Sequence, residues 1–410
     1  MTVLGGRSLL RQREFRLLWA GQSASAIGDA LVILALPFAV LDLTESAADV
    51  GVVLAAYTAP LAVLALVGGV WADRLPRRRV MLVADGVRAM VQAAIATLLM
   101  TGAASLWQLV ALTAVYAAAT AFFQPAMLGA VPQVVADADL QPANALLGLT
   151  RELAFVAGQP VGGLIIAVFS PGTAFAVDAA SFLVSALVLA AMRTANIGLT
   201  TREKFLLELR AGISAIRQRT WLWVVMAWSW AHLLLVVAPV YVLGPVVANR
   251  SLGGAVAWGI VTGSFSAGAV AGGAVAFRWR PPRPLLGAAQ LQLLAALGRL
   301  LLAVAAPVPL IATGQLAAGI ASGFFTAVYL TALQEGVPFE MRSRVGSVYW
   351  LGTTVAISLG YVIAGRLAAA IGVDGVLTAA AAWAAVSTII ILLVPAVRKV
   401  RATSRPAEVN

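Results

Sequence analysis

Several titratable residues lie inside long apolar stretches of this chain of 410 residues, where an ionisable side chain is costly and therefore informative. Asp29 and the single histidine, His232, each fall near the middle of such a stretch, and Glu152 falls inside another. Carboxylate and imidazole groups take up and release protons, so the chemistry to expect is proton transfer. We therefore predict proton coupling at Asp29 and His232, with Glu152 as the next candidate.

The composition argues against several other kinds of chemistry. The chain has no cysteine and one histidine, which argues against a metal site and thiolate catalysis. No lysine follows a glycine, so a phosphate-binding P-loop is excluded. The sequence shows no pairing of a nucleophile with a base, so a membrane-embedded enzyme is the weakest of the possible functions. We also expect no cofactor.

The elements that carry these residues are predicted to be membrane helices. The chain is 61% hydrophobic and 11% charged, with a mean hydropathy of +0.94, far from the composition of soluble proteins. Windows of about 20 apolar residues indicate twelve spans and an all-α integral membrane protein. The predicted spans are 17–41, 49–72, 80–103, 106–127, 144–168, 173–193, 221–247, 254–277, 284–305, 309–332, 346–371 and 375–396.

The basic residues predict how the spans are oriented. If the N-terminus is cytoplasmic, 23 of the 28 lysine and arginine residues fall in segments on that side. By the positive-inside rule, both termini are predicted to be cytoplasmic. This distribution also explains the net charge of +11 without a nucleic-acid partner, for which the spans leave no surface. Arginine outnumbers lysine 26 to 2, which suggests a bacterial genome, so we expect the protein in a bacterial inner membrane.

The second half of the chain repeats the first. The segments GGVWADRLPRRR (68–79) and GGAVAFRWRPPR (272–283) are offset by 204 residues, and the same offset carries Asp29 to within one residue of His232. Two six-span halves are typical of secondary transporters. The predicted organisation is an N-terminal half, a connector with an amphipathic helix over 205–219, a C-terminal half and a cytoplasmic tail, at residues 1–193, 194–220, 221–396 and 397–410.

Residues 69–78 carry a family resemblance. They match the pattern Gly-x-x-x-Asp-Arg-x-Gly-Arg-Arg of the major facilitator superfamily, with Pro76 in place of one glycine. The chain further resembles the drug:proton antiporter branch that includes macrolide, tetracycline and enterobactin exporters. The blocks that carry this resemblance are FRLLWAGQSASAIGDA (15–30), ADRLPRRRVML (72–82), FFQPAMLGAVPQVV (122–135), FAVDAASFLVSAL (175–187) and LQEGVPFEMRSRVGSVY (333–349).

The resemblance implies a cytoplasmic gate and a central cavity. Asp73 is expected to face the N-terminus of span 11, where free N–H groups favour a negative charge, and the arginines beside it to engage acids on neighbouring helix ends. The expected gate residues are Gly69, Asp73, Arg74, Arg77 and Arg78. Since spans 1, 4, 7 and 10 line the cavity in this fold, we expect Trp228, Phe325 and Tyr116 to contact substrate.

A glycine-rich segment in span 5, GQPVGG (158–163), is similar to the antiporter pattern Gly-Pro-x-x-Gly-Gly, with its proline displaced by one position. Small residues four apart let helices approach closely. We predict that Gly158, Gly162 and Gly163 pack against another helix, with Gly268 and Gly272 of span 8 as the partner surface.

The function expected from the sequence is export of small hydrophobic or cationic compounds, such as drugs, by a monomeric transporter in exchange for protons. Three alternatives stay open: export of a siderophore or another endogenous metabolite, operation as an importer, and activity as a membrane-embedded enzyme. The partners expected are a small-molecule substrate, protons and the lipid bilayer.

Overall fold

The computed structural model describes residues 9–72, 76–192, 212–279 and 281–400, and for 65–72 and 294 the backbone only. Within these residues, twelve helices are long and apolar enough to cross a membrane. They are α1 (Arg13–Thr44), α2 (Ala47–Ala72), α3 (Arg77–Met100), α4 (Leu106–Val134), α5 (Leu140–Val168), α6 (Pro171–Ala191), α7 (Thr220–Leu252), α8 (Ala255–Arg278), α9 (Pro284–Ala303), α10 (Val308–Gly336), α11 (Phe339–Ile371) and α12 (Val373–Leu393). The predicted fold class, an all-α membrane protein with twelve spans, is confirmed.

Short polar and glycine-containing turns set where the helices begin and end. Ser105 and Gln108 form a capping box at the start of α4. The Ser170 hydroxyl accepts a hydrogen bond from the Thr173 amide at the start of α6, which satisfies one of the free N–H groups of that helix. Gly372 separates α11 from α12 in a conformation with φ of 80°, which only glycine adopts without strain. These turns keep the apolar spans separate along the chain.

One span is not a regular α-helix. In α7, two π-helical turns, Leu233–Val237 and Ala248–Leu252, interrupt the α-helical conformation. The first of these turns begins directly after His232. π-Helical turns are rare and occur frequently at functional sites.

The first of two compact units comprises Met1–Arg202 and Ala248–Gly263. Within it, α1 packs against α5 and α6, α3 packs against α4 and α6, and α2 packs against α4. Gly28 of α1 lies directly against Asp178 and Ser181 of α6, which leaves no space for a side chain. The close contact between α1 and α6 thus brings polar groups together inside the unit.

The second compact unit comprises Glu203–Val247 and Ser264–Asn410. Here α9 packs against α10 and α12, and α7 packs against α11. Gly298 of α9 and Gly314 of α10 bring the two backbones into direct contact. Small residues at such crossings are the usual way in which helices associate without a hydrophobic driving force.

The connector predicted over 194–220 falls largely outside the described residues. Its residues 212–217 are helical, and Gly212 lies against Arg344 and Val348 of α11. The C-terminal tail is described as far as residue 400 and begins with a short helical turn, Pro395–Arg398.

Candidate functional site

Asp29 lies in α1 of the first unit, partly buried. The hydroxyl of Tyr116 on α4 donates a hydrogen bond of 2.5 Å to Asp29 Oδ1. The ring of Tyr116 is held in turn by Tyr57, stacked at 5.9 Å, and by Phe182, edge-on at 5.8 Å. The side chain of Tyr116 is 4% exposed. A buried phenol locked between two aromatic rings therefore positions the carboxylate of Asp29.

A buried ion pair lies in the same unit. Asp85 and Arg88, one turn apart on α3, form a salt bridge, and both are almost completely buried. The Ser185 hydroxyl donates to Asp85 at 2.7 Å, while the Arg88 guanidinium lies over the rings of Phe123 at 4.0 Å and Phe182 at 4.3 Å. The i, i+3 spacing accounts for this pair, because residues three apart lie on the same helix face.

Asp178 on α6 is a third buried acid of this unit. It accepts hydrogen bonds from Gln92 at 2.5 Å and from Ser181 at 3.2 Å. Because these donors are neutral and the group is fully buried, Asp178 ties α3 to α6 as a structural anchor.

Glu152 lies on α5 and is exposed, as is its neighbour Arg151. The guanidinium of Arg151 lies 6.0 Å from the ring of Phe155. Glu152 takes part in neither of the two ion pairs that the described residues form, Arg13–Glu14 and Arg88–Asp85. It stays a candidate for proton exchange, at a more exposed position than Asp29.

In the second unit, His232 is 9% exposed and Arg299 of α9 is 6% exposed. Arg299 Nη2 lies 3.2 Å from His232 Nε2. The two residues are 67 positions apart in the chain, so no local sequence pattern relates them. This contact bears on proton coupling, since a second proton could enter His232 at Nε2 only if the hydrogen bond to Arg299 broke.

Aromatic side chains continue from His232 across the second unit. The ring of Trp228 lies 5.4 Å from His232 and 5.2 Å from Phe325. Phe325 stacks on Tyr329 at 5.9 Å, and Tyr329 lies 4.9 Å from Tyr349. We call these four residues, Trp228, Phe325, Tyr329 and Tyr349, the aromatic row.

Two of the three residues predicted to contact substrate, Trp228 and Phe325, belong to this row, and Tyr116 lies in the first unit. Tyr329 and Tyr349 were not predicted. The spacing of Phe325 and Tyr329, four residues apart on one helix face, is the signal that could have indicated Tyr329.

The gate residues are described only in part. Asp73 and Arg74 lie outside the described residues, and Gly69 lies where α2 is described by its backbone alone. Arg77 donates to the carbonyl of Gly129 near the end of α4. Arg78 donates to the carbonyl of Leu189, at 2.7 Å, and to that of Ala190 at the end of α6.

The partners predicted for these arginines are wrong. Arg77 and Arg78 bind backbone carbonyls near helix C-termini, where the sequence suggested acids. For Arg78 the physical reason is that Leu189 and Ala190 lie in the last turn of α6, where carbonyls have few intrahelical partners and carry partial negative charge. The two arginines thereby tie the start of α3 to the ends of α4 and α6.

The glycines of α5 lie at helix contacts inside the first unit. Gly158 lies against Ala30 of α1, and Gly162 lies against Leu31 of the same helix. Gly163 approaches the carbonyl of Ala255, in the first turn of α8. At each of these positions a larger side chain would meet a neighbouring helix.

The partner surface predicted for these glycines needs correction. Gly268 and Gly272 of α8 lie against Gly319 and Ile320 of α10 in the second unit. Where α8 contacts α5, it does so closer to its start, from Ala255 to Gly263, which lies against Pro160. The spacing of small residues indicated close contacts but not which helices make them.

The described residues contain no group of three His, Asp or Glu side chains placed to hold a metal ion.

Residues 5–408 match the family described as transmembrane secretion effectors. The chain belongs to this family of the major facilitator superfamily. It is a multi-pass membrane transporter and not an enzyme.

Relatives and solved structures agree with this membership. The chain is similar to the multidrug efflux pump Tap of Mycolicibacterium fortuitum, with 28% identity over 405 residues, 95% of this chain and 97% of the relative. It is 21% identical over 372 residues to macrolide efflux protein A of Streptococcus pyogenes, covering 88% and 91% of the two chains.

Among solved structures, the nucleoside transporter NupG has a TM-score of 0.73 at 13% identity, over 94% of this chain and 99% of its own. A bacterial homologue of the iron transporter ferroportin has a TM-score of 0.69 at 17% identity, over 94% and 100%. These two similarities show the shared fold.

Proposed function

We propose that this transporter exports small hydrophobic or cationic compounds from a bacterial cell in exchange for protons, as a monomer in the cytoplasmic membrane. Two relatives matched over most of their length, Tap and macrolide efflux protein A, are efflux proteins by name, which supports export of drug-like compounds. The basic residues favour an orientation with both termini in the cytoplasm.

The observation that carries the proton-coupling part of the proposal is the setting of Asp29. It is a partly buried carboxylate inside a span, and its hydrogen bond comes from the neutral Tyr116. Asp29 takes part in neither of the ion pairs formed by the described residues. Protonation therefore removes a charge without breaking a salt bridge, as a proton carrier requires.

The other acids inside the first unit are less suited to this role. Asp85 is paired with Arg88, and Asp178 is fully buried and accepts two hydrogen bonds. Glu152 is the remaining candidate, because it is exposed and forms no ion pair with a described residue.

The aromatic row in the second unit supports the proposed substrate class. Aromatic faces attract organic cations by cation–π interaction, and they also provide apolar contact area. Trp228 is largely buried and donates its indole N–H to Ser387 at 3.2 Å, which fixes the ring. Phe325, only partly buried and stacked beside it, presents a pre-positioned aromatic surface.

Transport by purified protein tests the proposal. Proteoliposomes with an imposed pH gradient should accumulate ethidium against its concentration gradient. Asp29→Asn should abolish this uphill transport and keep downhill flux. Asp42→Asn is the matched control, since Asp42 lies on the same helix at an exposed position and should transport like wild type. Equal uphill transport by Asp29→Asn and wild type would contradict the assignment of Asp29.

Orientation is tested separately with cysteines introduced one at a time. Cysteines at Ser46 and Ala104 should react with an impermeant thiol reagent added outside, and one at Leu75 should not. The native chain contributes no background, because it has no cysteine. The opposite labelling pattern would reverse the proposed orientation.

A further inference from the structure

The buried pair of His232 and Arg299 has a definite hydrogen-bond polarity. A guanidinium can only donate, so His232 Nε2 must accept from Arg299 Nη2. The neutral ring then carries its proton on Nδ1. The other donor groups of the pair include Arg299 Nη1–H and His232 Nδ1–H.

Neither of these donors has a hydrogen-bond partner among the residues that the structure describes. Both side chains are at least nine-tenths buried, with 6% of Arg299 and 9% of His232 exposed. Buried donors are normally paired, and each exception needs an explanation. A charged arginine inside a span is costly, so it too is expected to have a partner.

The positive charge of Arg299 is likewise uncompensated within the described part of the chain. The two ion pairs found there are Arg13–Glu14 and Arg88–Asp85. His232, the one ionisable side chain bonded to Arg299, contributes no negative charge. The pair therefore offers unpaired donors and a positive charge to a small anion.

Arg88 in the first unit shows what a compensated arginine looks like in this protein. It is 3% exposed, forms an ion pair with Asp85 and lies over two phenylalanine rings. Its Nε makes no hydrogen bond to a described residue, but its charge is balanced. Arg299 is similarly buried, but no acidic side chain among the described residues forms an ion pair with it.

The helix that carries His232 is irregular at this point. The π-helical turn Leu233–Val237 begins at the next residue. Val236 in this turn packs against Ala296 of α9 and Ala384 of α12, so three helices meet beside the pair. An irregular turn next to unpaired buried donors is typical of a functional site rather than of simple packing.

We propose that Arg299 and His232 bind a small monoanionic group, either a halide ion or the carboxylate of a small molecule. Two N–H donors and one positive charge recognise such a group through charge-assisted hydrogen bonds. Since neither donor nitrogen is accessible to solvent in this conformation, binding requires the two side chains to move apart and favours a small anion over phosphate. This site goes beyond the proton-coupled export proposed above, which assigns no anion to the chain.

The single histidine of the chain makes a direct test possible. Full-length protein carrying ¹⁵N-histidine reports on His232 alone. The ring should show a protonated Nδ1 and an unprotonated Nε2. Addition of sodium bromide or sodium acetate, at constant ionic strength, should shift the Nδ1 resonance until it saturates.

Variants show whether the shift depends on the pair. Arg299→Gln should abolish the anion-dependent shift. Arg366→Gln makes the same change at an exposed position of α11 and should keep it. If Arg299→Gln does not fold, crystals of the unmodified protein soaked in bromide should show an anomalous peak in contact with Arg299 Nη1 and His232 Nδ1.

The two probes also separate the possible sources of the anion. Saturation by bromide alone assigns the site to a halide, and saturation by acetate with displacement of bromide assigns it to a carboxylate. A ring protonated on Nε2, or a resonance that neither anion moves, overturns the proposal. Because the measurement uses no transport assay, its failure would leave the role of Asp29 untouched.

Discussion

The two units differ in the sign of the ionisable side chains that they bury and in whether those side chains have partners. In the first unit, the acids Asp29, Asp85 and Asp178 each accept a hydrogen bond from a neighbouring side chain or form an ion pair with one. In the second unit, the buried ionisable groups Arg299 and His232 are basic, and donors of both lack partners among the described residues. Two halves that share a repeat pattern have therefore acquired opposite interior chemistry.

The repeat offset makes this divergence visible in the sequence. A shift of 204 residues carries Asp85 to Ala289 and Asp178 to Ala382, so the second half has apolar residues where the first has structural acids. Conversely, Arg299 corresponds to Ile95. This difference is consistent with the proposal that proton exchange takes place in the acidic first unit and ligand contacts in the basic and aromatic second unit.

The largest expected effect compares the two buried arginines. Asp85→Ala leaves the charge of Arg88 buried without its partner, so we expect a loss of about 3–5 kcal/mol in the free energy of unfolding. Arg299→Met removes a charge that has no acidic partner among the described residues, so stability should be unchanged or higher. Thermal unfolding in detergent measures both. Similar destabilisation by the two changes would show that Arg299 is also compensated.

A smaller effect is expected for two buried tyrosines. Tyr116→Phe removes the hydrogen bond to Asp29, and bonds to charged groups contribute about 1.5–3 kcal/mol. Tyr329→Phe is the matched change in the second unit, where the hydroxyl has no partner among the described residues. It should leave the unfolding temperature unchanged or raise it. Equal losses would mean that the Tyr329 hydroxyl is satisfied in solution.

The smallest effect in free energy concerns the segment 68–79. Asp73→Asn removes a charge expected to interact with a helix N-terminus, a contribution of about 0.3–1 kcal/mol, or about 2 if partly buried. Transport should fall sharply while the amount of protein in the membrane stays near normal. Phe277→Leu, at the repeat-equivalent position, should do much less. Equal loss of transport in both variants would mean that this segment serves folding rather than gating.

The sequence predicts the fold well because the bilayer imposes a strong rule. Each span needs about 20 apolar residues, and such windows are readily recognised. Local spacing also favours the Asp85–Arg88 pair, since residues three apart share a helix face. These successes rest on patterns within one helix.

Contacts between helices could not be predicted in the same way. In a span that is apolar on most faces, composition does not indicate which face meets protein and which meets lipid. The contact between His232 and Arg299 and the bond between Tyr116 and Asp29 therefore appear only in the structure. For the same reason, the prediction of which helix contacts Gly268 was wrong. The carbonyl partners of Arg77 and Arg78 were missed because backbone acceptors leave no mark in a side-chain pattern.

The central claim is that Asp29 carries the exchanged proton, and proton movement tests it most directly. Proteoliposomes containing trapped pyranine report the internal pH when ethidium is added without an imposed gradient. Wild-type protein should move protons opposite to ethidium, and Asp29→Asn should move ethidium down its gradient with no accompanying proton flux. Ethidium-dependent proton flux of wild-type size in Asp29→Asn would contradict the claim and direct attention to Glu152.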